Sequence, residues 1–245
     1  MKRIFVTVSL LFVVTTIYAC PSLLAGRKAT VDGSTLITYA ADSHTLYGAL
    51  SFTPAADHPK GSKIEIRDCD TNKPLGKIPQ VEHTYKVVGF MNEHQLSITE
   101  STFGGRPELV DTTGIIDYGS LMQLALQRAR TAREAITVMT DLVKKYGYYS
   151  SGESFSIADP EEVWILEMIG KGSASKGAVW VAVRIPDDCI AAHANHSRIH
   201  RFPLDDPENC LYSPDVISFA REQKYFAGLN RDFSFSAAYA PAGFE

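Results

Sequence analysis

A predominantly apolar run from Ile4 to Ile17 opens the chain, behind Lys2 and Arg3 and ahead of Ala19-Cys20. A short positive region, an apolar stretch too short for an ordinary membrane span and a small residue form the layout of a secretory leader. Residues 1–19 are therefore expected to be a signal peptide, with one exported domain over residues 20–245 starting at or near Cys20. Beyond it, "SLLAGRKATVDGSTLITYAADS" reads as two strands joined at Asp32-Gly33, a strong hairpin signal between apolar runs. "TLYGALSFTP" is a further strand candidate, followed by a polar loop from Pro54 to Ser62, and "YKVVGF" and "QLSITES" flank "MNEH" in hairpin fashion. From Ile116 to Tyr146 the period lengthens. Leu121, Leu124 and Ala125 share one helical face, as do Ala132, Ala135, Ile136, Met139, Leu142 and Val143. Thr131 with Glu134 predicts a capping box at the second helix, and Gly147 its end.

Four more β-rich runs follow: "SFSIADP", "EVWILEMI", "AVWVAVRI" and "CIAAHAN". "SPDVISFAREQKYFAG" predicts a capped helix ending at Gly228, and the final "DFSFSAAYAPAGFE" alternates like a strand before the sequence stops, as if truncated. The order β, α, β, α predicts an α+β fold, with sheets covered by helices, rather than a doubly wound parallel sheet.

Composition adds exclusions. The 245 residues are 45% hydrophobic and 21% charged with a formal charge of −4, and no basic tract suggests nucleic-acid binding. No later stretch is apolar enough for a membrane span. Cys20, Cys69, Cys189 and Cys210 permit two bridges in an exported protein, but spacing does not give their connectivity.

Cys20 has the most chemistry to offer. Once exposed at an N-terminus, its thiol is a strong nucleophile, and its α-amine titrates near 7.7–8.0, about right for a general base. One residue would supply both groups, and leader removal would switch the chemistry on. Lipid attachment at Cys20, in a tethered non-catalytic protein, is the alternative; bulky Tyr18 fits a lipoprotein signal poorly. The cluster His193, His196 and His200 near Cys189 and Cys210 invites a zinc reading, although the spacing matches no helical His-Glu-x-x-His site. Trp164 and Trp180 fit a core, and "FGGR" at 103–106 is either a close backbone approach to substrate or a plain turn.

"CPSLLAGRKATVDGSTLITYAADSH" resembles the start of the cysteine dipeptidases of the N-terminal-nucleophile hydrolases, the dipeptidase A and secernin group. Gly26, Ala29, Asp32, Gly33, Ser34 and Thr35 match that pattern, and "GFMNEHQLSITESTFGGR", "PEEVWILEMIGKG", "AVWVAVRIPDD" and "AHANHSRI" resemble later blocks in family order. The resemblance implies a four-layer α/β/β/α sandwich, incomplete at the C-terminus because family members are usually longer. It also implies hydrolysis of small peptides through a thiol acyl-enzyme, with no metal or organic cofactor. Cys20 is then the nucleophile, Asp42 an orienting acid, Asn92 and Asn195 oxyanion donors, and Arg198 a partner for a substrate carboxylate. Asp42 and Asn92 read equally as turn residues, and Arg198 as a surface cation. Tyr39-Ala40 departs from the Arg-Asn that many relatives carry beside the thiol. A different amide hydrolase of the same architecture, acting on an acylated amino acid or bile-salt-like amide, stays open.

Overall fold

The computed structural model describes residues 20–42 and 48–242; the expected leader and the first residues of the strand candidate at 45–54 lie outside them. Strand β1 (Ser22–Ala25) turns back at Gly33, whose φ of 80° a glycine adopts without strain, into β2 (Leu36–Tyr39). Strand β3 (Ser97–Gly104) precedes helices α1 (Tyr118–Leu126) and α2 (Ala132–Tyr146). Strands β4 (Gly152–Ala158), β5 (Val163–Gly170), β6 (Ala178–Ile185), β7 (Ile190–His193) and β8 (Cys210–Tyr212) follow, then helices α3 (Val216–Glu222) and α4 (Phe235–Tyr239).

Two sheets dominate. The larger has eight strands in the order β8, β6, β5, β4, β3, then the short strands Met91–Asn92, Val87–Val88 and Phe52–Thr53. The smaller places β1 between β7 and β2. Every strand pairing within both is antiparallel, in keeping with an α+β chain.

Alternation along the large sheet sorts its two faces. Ile98, Phe155, Ile157, Trp164, Leu166 and Met168 meet the apolar faces of α1 and α2 in one core. Val163, Ile165, Ile169, Val179 and Val181 face the other way, toward Leu24 of β1 and the aromatic side chains of α3 and α4. Trp164 is core, as its strand pattern suggests.

Helix α2 starts as its sequence predicts. Thr131 Oγ1 accepts from Glu134 N at 3.2 Å, and Gly147 closes the helix at a φ of 80°. The Glu134 carboxylate reaches Arg130 N at 2.7 Å, one residue before the position a capping box would use. Two expectations differ. Helix α3 stops after Glu222 rather than at Gly228, because Lys224 turns left-handed at a φ of 60°. The terminal alternation forms no strand; Ser234 caps α4, whose Phe235 and Tyr239 pack against Phe219 and Phe233. A hairpin joins Lys63–Arg67 with Pro74–Pro79, and Asp117 Oδ2 ties it to the start of α1 by accepting from Cys69 N at 2.9 Å. The glycines of "FGGR" form a turn at φ of 71° and 75°, and a Cβ on Gly105 would lie 2.9 Å from Tyr239 O, so this turn seats α4. Among the described residues no helix is long and apolar enough to cross a membrane.

Candidate active site

Strand β1 delivers Cys20 to the gap between the sheets. Ser22 pairs with His193 on one side and Tyr39 on the other, so these three side chains form one row facing the large sheet. Past Ile98, whose N–H still donates to Phe90 O at 3.1 Å, no strand among the described residues pairs with the outer edge of β3. The site forms along this free edge.

Asn195 connects the two sheets. Its Oδ1 accepts from Cys20 N at 2.6 Å, its Nδ2 donates to Thr102 O on the β3 edge at 2.6 Å, and its backbone N donates to Ser101 Oγ at 2.8 Å. Its φ of 40° is left-handed, a conformation that asparagine tolerates better than most side chains. One hydrogen of its amide is spent on Thr102, and the second is available to a ligand. The loop carrying Asn195 is fixed beneath by Glu167, a buried carboxylate in the apolar strand β5. Glu167 accepts from the Ser197 hydroxyl and from the backbone N–H groups of Arg198 and Ile199. Burial raises the Glu167 carboxyl above its ordinary range, and these donors oppose the rise.

Asp42 reaches Cys20 through its backbone. Its N–H is directed at the sulfur and favours the thiolate, whereas its carboxylate charge, like that of Glu100, disfavours it. Burial is the largest influence, and the thiol is raised overall. Arg198 is exposed beside this loop, close enough that its charge helps burial hold His193 down.

Asn92 lies elsewhere. Its Nδ2 donates to Leu126 O and Ala129 O, both at 2.8 Å, while Oδ1 accepts from His94 N and Leu96 N at 2.9 and 3.1 Å. Both amide hydrogens are consumed at the end of α1, so none is left for an oxyanion. The side chain expected as an oxyanion donor instead joins a hairpin turn to a helix.

The histidine cluster disperses as well. His193 Nε2 meets Ser156 Oγ at 2.7 Å and His200 Nδ1 meets Ser236 Oγ at 2.7 Å. Among the described residues no three His, Cys, Asp or Glu side chains converge as a metal would require. The four cysteines are free thiols.

Sequence reasoning passed over a buried acidic pair. Glu100 on β3 and Glu153 on β4 are 6% and 1% exposed. Tyr39 donates its hydroxyl to Glu100, and Thr102 Oγ1 donates to Glu153 Oε1 at 2.7 Å. Each is a lone charge in a strand otherwise spent on packing, as is Glu167 in "VWILEMIG". A buried, unpaired-looking carboxylate was the signal available, since such groups are costly without a purpose. Beside Cys20 opens a cavity of ≈ 680 Å³, within the ordinary span of about 300–1,000 Å³ for small-molecule sites. Tyr39, Ala41, Glu100, Asp70, Phe90 and Tyr118 belong to its wall, and Cys20 lies near enough to Glu100 and Tyr39 to feel their charges.

Comparison with known proteins agrees with this picture. The family model described as peptidase family C69 matches residues 19–245. A probable dipeptidase of Latilactobacillus sakei is 29% identical over 219 residues, 82% of this chain and 44% of its own. A probable dipeptidase of Salmonella dublin is 26% identical over 246 residues, 91% and 54% of the two chains. A probable dipeptidase B of Lactococcus lactis is 28% identical over 204 residues, 78% and 42%. The chain thus spans about half the length of these curated relatives.

Proposed function

The chain belongs to peptidase family C69, and on that premise we propose that it is a thiol-dependent hydrolase of dipeptides or short peptides, acting through Cys20 after export and leader removal. The observation that carries this reading is the seat of the Cys20 nitrogen on the Asn195 side-chain oxygen at 2.6 Å. A backbone nitrogen held by a side chain from a distant loop is what an N-terminal nucleophile requires, since the same atom becomes a free amine on cleavage. The wider architecture proposed is the α/β/β/α sandwich.

In the reaction, the Cys20 thiol proton passes to the α-amine, which Asn195 Oδ1 orients. The sulfur then attacks the peptide carbonyl, and the second Asn195 amide hydrogen supports the developing oxyanion. Such donors contribute about 2.7–4 kcal/mol. The ammonium returns its proton to the leaving nitrogen, the C–N bond breaks, and a thioester remains on Cys20. Water, deprotonated by the same amine, attacks the thioester carbonyl; the C–S bond breaks and the thiol is restored. The Asp42 N–H steadies the thiolate, and Arg198 is the proposed partner of a substrate carboxylate. The thiol and amine supply nucleophile and base, so the mechanism calls on no cofactor.

N-terminal sequencing and intact mass of the complete exported protein test this directly. The expected outcome is a chain starting at Cys20 with no added lipid mass, whose Cys20→Ala variant loses peptide hydrolysis by at least about a thousandfold, as for other lost nucleophiles. A lipid on the sulfur, or full activity in Cys20→Ala, would reject the mechanism.

A further inference from the structure

Resting on the peptidase reading, we propose that Glu100, held by Tyr39 and backed by Glu153, binds the free α-ammonium group of the substrate and so confines the site to peptides with an unblocked amino end. Three observations converge. Glu100 stands on the cavity wall beside Cys20. In a dipeptide the α-nitrogen lies only about 2.5 Å from the scissile carbonyl carbon, so its receptor must sit next to the nucleophile. The described wall of the cavity also contains Asp70 and no lysine or arginine. That wall suits a cation.

The pair itself points to a missing cation. Glu153 Oε2 is buried and meets no donor among the described residues. Burial raises both carboxyls, and the two acids are neighbours, so the pair holds one proton and one charge between them. Glu100 is the member of the pair that stands on the cavity wall. Its partner Tyr39 is a neutral phenol that donates a hydrogen bond without cancelling that charge. One hydrogen of the Cys20 nitrogen is held by Asn195 Oδ1.

The test compares Ala-Leu with N-acetyl-Ala-Leu on the complete mature protein. Wild type is expected to favour the free dipeptide in kcat/KM, and Glu100→Gln to erase about 10- to 100-fold of that preference, mainly through KM for Ala-Leu, as loss of one charge-assisted contact implies. An unchanged preference, or equal loss on both substrates, would overturn the proposal; equal loss would mean that Glu100 serves Cys20 rather than the substrate. Calorimetric titration of Cys20→Ala with the same two compounds reads binding without turnover. Binding of Ala-Leu but not its acetyl form supports the proposal even where hydrolysis fails, and indifference to acetylation, or no binding of either, sinks it. Cleavage of N-acetyl-Ala-Leu alone by wild type would refute the ammonium receptor while leaving a thiol hydrolase in place.

Discussion

The nitrogen of Cys20 and the side-chain oxygen of Asn195 lie 2.6 Å apart, although 175 positions separate them in the chain. The side-chain amide that holds this nitrogen also grips the β3 edge through Thr102 O. Replacing Asn195 therefore removes orientation of the amine and an oxyanion donor together. Asn195→Gly and Asn195→Ala should both lower kcat/KM by about a hundredfold or more. Alanine should also melt earlier, losing about 1–2 kcal/mol because its Cβ opposes the left-handed backbone. Parallel kinetics and thermal melts separate the two effects; near-normal activity in the glycine variant would refute the role.

His193 gives a signature in acid. Burial, and secondarily the Arg198 charge, hold its imidazole down from 6.5 to about 4. Below pH 6.5 the unfolded chain takes up a proton that the folded imidazole refuses. Stability contributed by His193 is thus complete above that pH, falls as the pH drops toward 4 and levels off below it, a loss of about 3 kcal/mol. The raised carboxyls Glu153 and Glu167 act with the opposite sign. The difference between wild-type and His193→Gln unfolding profiles isolates the histidine, and parallel profiles across this range would contradict the assignment.

Asn92→Ala is expected to act on stability alone. It strands the carbonyls of Leu126 and Ala129 and two backbone N–H groups, costing about 2–4 kcal/mol. Activity per folded molecule, measured well below the melting transition, should match wild type. A selective collapse of kcat with unchanged melting would return Asn92 to the reaction.

Gly26 is predicted to reject any side chain. A Cβ there would lie 2.5 Å from Asp187 O and 2.6 Å from Pro186 O, both backbone atoms that cannot rotate away. Gly26→Ala should cost about 1–3 kcal/mol, as overpacking does. Denaturant unfolding reads the loss, and a neutral result would show that the β6–β7 turn yields easily.

Much of this fold could be read from side-chain periodicity. The β1–β2 hairpin, the helix pair and strands β4 to β7 follow patterns that solvent exposure imposes locally. In the hairpin at 63–79, Ile64 and Ile66 alternate with Lys63, Glu65 and Arg67 as a strand should, whereas Pro74 and Pro79 blur the partner strand. The C-terminal stretch misled because Phe233, Phe235 and Tyr239 fit an alternating pattern, yet Tyr239 packs on Phe219 of α3 and on Tyr225 beyond it, and Phe233 on Phe202 and Phe226. Candidate chemistry divides the same way. Cys20 is marked by its place after the leader. Whether an asparagine faces a substrate or a helix end depends on contacts across 34 or more positions, which no local pattern encodes. The placing of Glu100 beside Glu153 depends on strand register between β3 and β4.

Because β1 is zipped to β2 and β7 along both margins, presentation of residue 20 is a property of main-chain pairing, not of sulfur. Swapping that atom for oxygen should leave the cradle undisturbed, which makes this scaffold a natural chassis for comparing terminal cysteine, serine and threonine under identical geometry.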